Sequence, residues 1–79
     1  MTRPRITLLG KPGCHLCDDA RGEVARIAAD LGVGWEERNI LDDPELRVRW
    51  ADYVPVVMVD DRVLGWFRVD EAELRAALS

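Results

Sequence analysis

The chain has 79 residues, and its 15 acidic and 11 basic side chains give a net charge of −4. That length supports one small domain, read as 1–79, with room for only a shallow groove, and the acidic balance excludes a binder of phosphate backbones. The longest apolar run, Val54 to Val59, is too short to cross a bilayer, and Ile6 to Leu9 is too short for a secretory leader; the chain reads as cytoplasmic, with neither nucleic acid nor membrane as a partner.

Arg5 to Lys11 is a short apolar run with a β-branched start, bounded by glycine and proline, and predicts a buried strand. Leu16, Ala20, Val24, Ile27, Ala28 and Leu31 then recur at helical spacing, with Asp18, Asp19, Arg21, Glu23, Arg26 and Asp30 on the other face. Gly32 and Gly34 close that helix. Gly34 to Ile40 is more polar and predicts an edge strand. Asp43-Pro44-Glu45 supplies an N-cap, a first-turn proline and an early carboxylate for a short helix ending near Trp50 to Tyr53.

Val54 to Val59 predicts a strand, Asp60-Asp61 a two-residue turn, and Arg62 to Phe67 the returning strand of a hairpin. Val69, Asp70, Glu73 and Leu74 mark the last helix as staple, N-cap, capping-box acid and staple partner, and it runs through Ala77 and Leu78. The order β-α-β-α-β-β-α predicts an α/β fold: a four-stranded mixed sheet with helices on both faces.

The junction of the first strand and first helix, Gly10-Lys11-Pro12-Gly13-Cys14-His15-Leu16-Cys17, holds both cysteines, the lone histidine and the lone lysine. In an open α/β sheet reactive groups gather beyond the carboxyl ends of the strands. Disulfide exchange needs one accessible thiolate and a second thiol close enough to expel it from a mixed disulfide. Residues three apart on a helix are neighbours, and the unpaired N–H groups of a helix N-terminus stabilise an anion. Cys14 therefore reads as the attacking thiol and Cys17, one turn in, as the resolving one. Cysteines with this spacing in a cytoplasmic chain point to redox chemistry or metal, not to a static disulfide. A closed zinc site needs four ligands, and no cysteine or histidine elsewhere in the chain completes one, so no metal is expected.

Lys11 has two readings, a cation that favours the thiolate or greets an anionic substrate, and a solvated strand-end lysine. His15 has two readings, an exposed bystander that points away from its neighbour in a helix and a modest tuner of the Cys14 thiolate. Pro55 either simply opens a strand or, with a cis Val54–Pro55 bond, turns the Val54 backbone toward Cys14 for pairing with an extended substrate. Trp35 and Trp50 read as packing residues with partly exposed rings. Trp66 flanks the crevice, and Gly65 before it permits either close approach of a partner backbone or a strand bulge.

With these residues in place, the chain resembles the glutaredoxins of the thioredoxin-like superfamily, most nearly the small bacterial glutaredoxin-like proteins. The resemblance covers nearly the whole chain: the element order, Lys11-Pro12 leading into Cys14-x-x-Cys17, and Val54-Pro55 opening the third strand. It implies a thioredoxin-like fold and a disulfide oxidoreductase whose redox disulfide is Cys14–Cys17. It also implies Lys11 as a cation near a substrate carboxylate, Val54 as the substrate's backbone partner and Pro55 as a cis-proline. Two departures stand out. His15-Leu16 stands where the family commonly has Pro-Tyr, and Gly65-Trp66-Phe67-Arg68 replaces the Gly-Gly pair that holds glutathione. The expected substrate is a disulfide-bearing protein or small thiol compound, with no bound cofactor, and the chain is expected to be a monomer. The electron donor is left between glutathione and a reductase of the thioredoxin-reductase type. Two other classes stand beside this reading: a binding or adaptor module with little turnover, and a dimeric iron–sulfur or zinc binder.

Overall fold

The computed structural model describes residues 5–79. Strand β1 (Ile6–Gly10) leads into helix α1 (His15–Leu31), followed by strand β2 (Trp35–Asn39) and a 3-10 turn over Ile40–Asp42. Helix α2 (Pro44–Trp50), strands β3 (Val56–Val59) and β4 (Arg62–Trp66), and helix α3 (Glu71–Leu78) complete the order. The sheet runs β2-β1-β3-β4, with β1 parallel to β2 and antiparallel to β3, and β3 antiparallel to β4. This is the four-stranded mixed sheet that the sequence predicts.

Period-two alternation divides β1 between two cores. Ile6 and Leu8, with Val57 and Val59 opposite them, pack against Ala20, Val24, Ile27 and Ala28 of α1 and Leu74 and Leu78 of α3. Leu9 and Val56, also paired, face the other way and join Cys17, Ile40 and Val54, with Leu46 and Trp50 of α2 against them. Helices thus cover both faces, and the second core reaches the cysteines. Among the described residues no helix is long and apolar enough to cross a membrane.

Local signals place the element ends. Gly32 closes α1 at φ 67°, a left-handed conformation natural to glycine, and its N–H reaches the carbonyls of Ala28 and Ala29. Asp43 caps α2 by accepting the Glu45 N–H at 3.0 Å, and Asp70 caps α3 by accepting that of Glu73 at 3.1 Å. Val69 packs against the core that holds Leu74, as a staple requires.

Four sequence expectations need adjustment. The buried stripe of α1 runs from Cys17 to Ala28, because Leu16 and Leu31 are 52% and 40% exposed. Strand β3 starts at Val56 rather than Val54, since Val54 and Pro55 lie outside the pairing that begins at Leu9 and Val56. Ile40 belongs to the 3-10 turn rather than to β2. Phe67 leaves β4 by adopting φ 71°, which no strand residue does.

Candidate active site

Cys14 is the N-cap of α1, in extended conformation, so it stands at the end of β1 where the helix opens its free N–H groups. The Cys17 N–H donates to its sulfur at 3.1 Å, the bond a serine or aspartate oxygen makes at other helix starts. Cys14 is half-buried and Cys17 is completely buried, and both are free thiols. One thiol is therefore partly open to solvent and the other is closed off from it.

Burial pushes the Cys17 thiol up to about 11; its hydrogen bond with Cys14 and the nearby Glu37 carboxylate add to the rise, while the backbone N–H of Lys11 opposes it. The two sulfurs are thus unlike in exposure and in hydrogen bonding, although three positions apart.

Cys14 packs against the core that includes Cys17, Val54 and Val56. The Val54–Pro55 peptide bond is cis. Lys11 is exposed, with its Nζ 3.5 Å from the Ala51 carbonyl at the end of α2, and His15 is exposed on the first turn of α1. Among the described residues no group of three His, Cys, Asp or Glu side chains is arranged to hold a metal ion.

A bulge decides on which face of the sheet Trp66 lies. In β4 Val63 opposes Met58 and Gly65 opposes Val57, which leaves Leu64 as an extra residue. Without it the alternation would send Trp66 toward the α1 and α3 face. With it Trp66 opposes Val56, on the α2 face beside Pro55. Gly65 itself lines a small cavity with Val57, Arg68, Asp70 and Leu74.

Tyr53 stands at the centre of an aromatic group, with ring centroids 6.1 Å from Trp50, 6.1 Å from Trp66 and 6.2 Å from Phe67. Tyr53, Trp66 and Phe67 remain 43%, 48% and 46% exposed. The Phe67 N–H donates to the Pro55 carbonyl at 2.8 Å, tying this face to the crevice wall. Sequence reading named Trp66 but missed Tyr53 and Phe67. A left-handed phenylalanine carries no local signal, and Tyr53 becomes notable only once α2 is folded back on the sheet. Glu37 was missed as well, because one acid on a polar edge strand looks like any solvated charge.

The Glutaredoxin-like domain (DUF836) family matches residues 5–79. The uncharacterized protein Rv0508 of Mycobacterium tuberculosis is 31% identical over 84 residues, spanning 100% of this chain and 87% of that protein. The solution structure of protein Ne2328 from Nitrosomonas europaea superposes with a TM-score of 0.81 at 28% identity, covering 100% of this chain and 96% of that one. Thioredoxin 1 from Thermosipho africanus superposes with a TM-score of 0.64 at 15% identity, over 92% of each chain, a likeness of fold alone. A cysteine pair at the first strand–helix junction, on a thioredoxin-like sheet and within a family match that spans nearly the whole chain, makes this chain a member of the glutaredoxin-like domain family.

Proposed function

We propose that the chain is a thiol–disulfide oxidoreductase in which Cys14 is the nucleophile and Cys17 the resolving thiol. The observation that supports this best is the asymmetry of the pair: Cys14 is partly exposed at a helix N-terminus, with the Cys17 N–H on its sulfur, and Cys17 is buried.

The Cys14 thiolate attacks a substrate disulfide, forming a mixed disulfide and releasing one substrate thiolate. Cys17 then attacks the Cys14 sulfur, the Cys14–Cys17 bond forms, and the second substrate sulfur leaves with its electron pair. Two electrons pass from the dithiol to the substrate, and an external thiol system restores the dithiol. Lys11, Val54, Pro55 and Trp66 hold the substrate, and Gly65 acts through the bulge that turns Trp66 toward it. The Val54 backbone lies outside the strand pairings of the sheet, which suits it to pair with an extended chain.

The substrate class that fits best is a protein disulfide. Exposed Tyr53, Trp66 and Phe67 beside Pro55 offer an apolar face suited to side chains flanking a cysteine. Trp66 and Phe67 stand where glutathione-dependent relatives have small glycines, which favours a reductase of the thioredoxin-reductase type over glutathione as donor. In this reading the protein works as a cytoplasmic monomer without a bound cofactor.

A Cys17→Ser variant incubated with a panel of protein and small-molecule disulfides tests the reading. A mixed disulfide through Cys14, detected by mass, is the expected product. Its absence with every disulfide would sink the proposal.

A further inference from the structure

Phe67 combines a costly backbone with an unburied ring. It adopts φ 71° without being a glycine, a left-handed conformation that strains any side chain. The bond made there, its N–H donated to the Pro55 carbonyl at 2.8 Å, a glycine would make without strain. Nor does packing account for the ring, which is half-exposed and belongs to neither core. Strain retained for an exposed ring belongs to function rather than to stability.

Trp66 gives the same sign. The extra residue at Leu64 turns it to the α2 face, where it too stays half-exposed, with Tyr53 at its edge. Tyr53, Trp66 and Phe67 thus form one aromatic face that ends at Pro55. The flat side of an aromatic ring carries negative charge and attracts a guanidinium, while the methylenes of an arginine cover apolar carbon.

The charge around this face selects among the side chains that could lie on it. Three stretches lead to it: the turn into α1, α2 with its last turn, and the loop from β4 to α3. In 11–19, 40–53 and 66–73 alike, acids outnumber bases. Asp18, Asp43 and Glu71 are held by arginines outside these stretches, and the acids that are left still outnumber the bases. Asp52, which adjoins Tyr53, is exposed. The net charge of −4 extends the same field over the whole chain. Rings alone would accept leucine as readily as arginine; rings in an acidic surround favour the base.

We propose that Tyr53, Trp66 and Phe67 take a basic side chain, arginine above all, that flanks the cysteine of a protein disulfide, an inference that rests on the exchange reading of the two cysteines. The guanidinium lies flat on the exposed rings, and the acidic stretches draw it there. The partner is a disulfide-bearing protein with a basic segment around its cysteine. Trp66 and Phe67 act on specificity, setting which disulfide Cys14 meets.

Three symmetric peptide disulfides, alike except that arginine, leucine or glutamate flanks the cysteine, test this with the reduced full chain. Each rate of peptide-thiol release is divided by the rate with dithiothreitol, which removes the peptide's own reactivity. The arginine peptide is expected to react about 10-fold faster than the leucine peptide at low salt, and the glutamate peptide slowest. Added salt is expected to narrow the spread. Trp66→Leu and Phe67→Leu keep an apolar surface without the aromatic face, and each is expected to bring the arginine-to-leucine ratio down to about 3-fold. A leucine peptide as fast as the arginine peptide in the unaltered protein would overturn the proposal, since the face would then take apolar chains. An unchanged ratio in both variants would overturn it too, because net charge alone would carry the preference. No release from any of the three would instead overturn the exchange reading, and this inference with it.

Discussion

The Cys14 sulfur takes the Cys17 N–H at 3.1 Å, so the atom that caps α1 is also the nucleophile of the proposed exchange. Chemistry and fold can be separated there by choice of replacement. Serine retains a capping oxygen and alanine does not, a difference of about 1 kcal/mol at helix N-caps. Cys14→Ser is therefore expected to keep the stability of the reduced protein while losing all exchange. Cys14→Ala is expected to lose exchange and about 1 kcal/mol as well. Urea titrations beside a turnover assay check both, and equal stabilities would show that the sulfur contributes nothing as a cap.

The Cys17 thiol makes stability depend on pH at the alkaline end. Its folded pKa of about 11 lies above its ordinary value of 9.0, mainly through burial. The unfolded chain thus loses this proton first as pH rises. The contribution is fully present below pH 9.0 and is lost as the pH climbs to about 11. A rise of this size corresponds to about 3 kcal/mol. The reduced protein is expected to show this alkaline loss, and the oxidised protein, which has no Cys17 proton to release, is not. Parallel denaturation curves of the two forms over that range would contradict it.

Gly10 stands beside both Cys17 and Glu37. A methyl group there meets Cys17 Cβ, Cys17 Sγ and Glu37 Oε2 all at 3.4 Å, close to ordinary contact. Gly10→Ala is expected to fold with stability changed by less than about 1 kcal/mol, since glycine weakens a strand to a similar degree. The methyl also crowds the Cys17 sulfur. The variant is expected to form the mixed disulfide normally and to resolve it slowly, checked by timing release of the first and second thiols from a small disulfide.

How much was legible in the sequence follows from how local each signal is. Cys14, Cys17, Asp43 and Asp70 were readable because cap, spacing and flanking pattern lie within one helical turn. The strand order was readable because the element sequence leaves few alternatives. Glu37 was not, since its meaning depends on a parallel register with β1 and on the missing side chain of Gly10. Nor was the aromatic face, which requires an extra residue at Leu64 and a left-handed Phe67. Leu16 misled for the reverse reason: its spacing fits the buried stripe, but at the first turn of the helix it is left 52% exposed.

The last helix is held by charge as well as by its cap, and this gives an acid-sensitive element far from the thiols. Glu71 in the first turn of α3 accepts Arg26 of α1 at 2.8 Å and Arg75 of its own helix at 2.9 Å, and Arg75 also holds Asp30 of α1 at 2.7 Å. The hydrogen bonds from Arg26 and then Arg75 lower the Glu71 carboxyl from 4.5 to about 2. The unfolded chain therefore binds this proton first on acidification. The stabilisation is complete above pH 4.5 and fades as the pH falls to about 2. Because the group is exposed, its contribution is screened by salt. Glu71→Gln is expected to be less stable than the unaltered protein near neutral pH and to lose less stability across that acid range. Adding salt is expected to narrow the gap. Denaturant midpoints measured from pH 6 down to pH 2, at low and high ionic strength, check all three statements. An acid loss of the same size in Glu71→Gln would show that other carboxylates carry it.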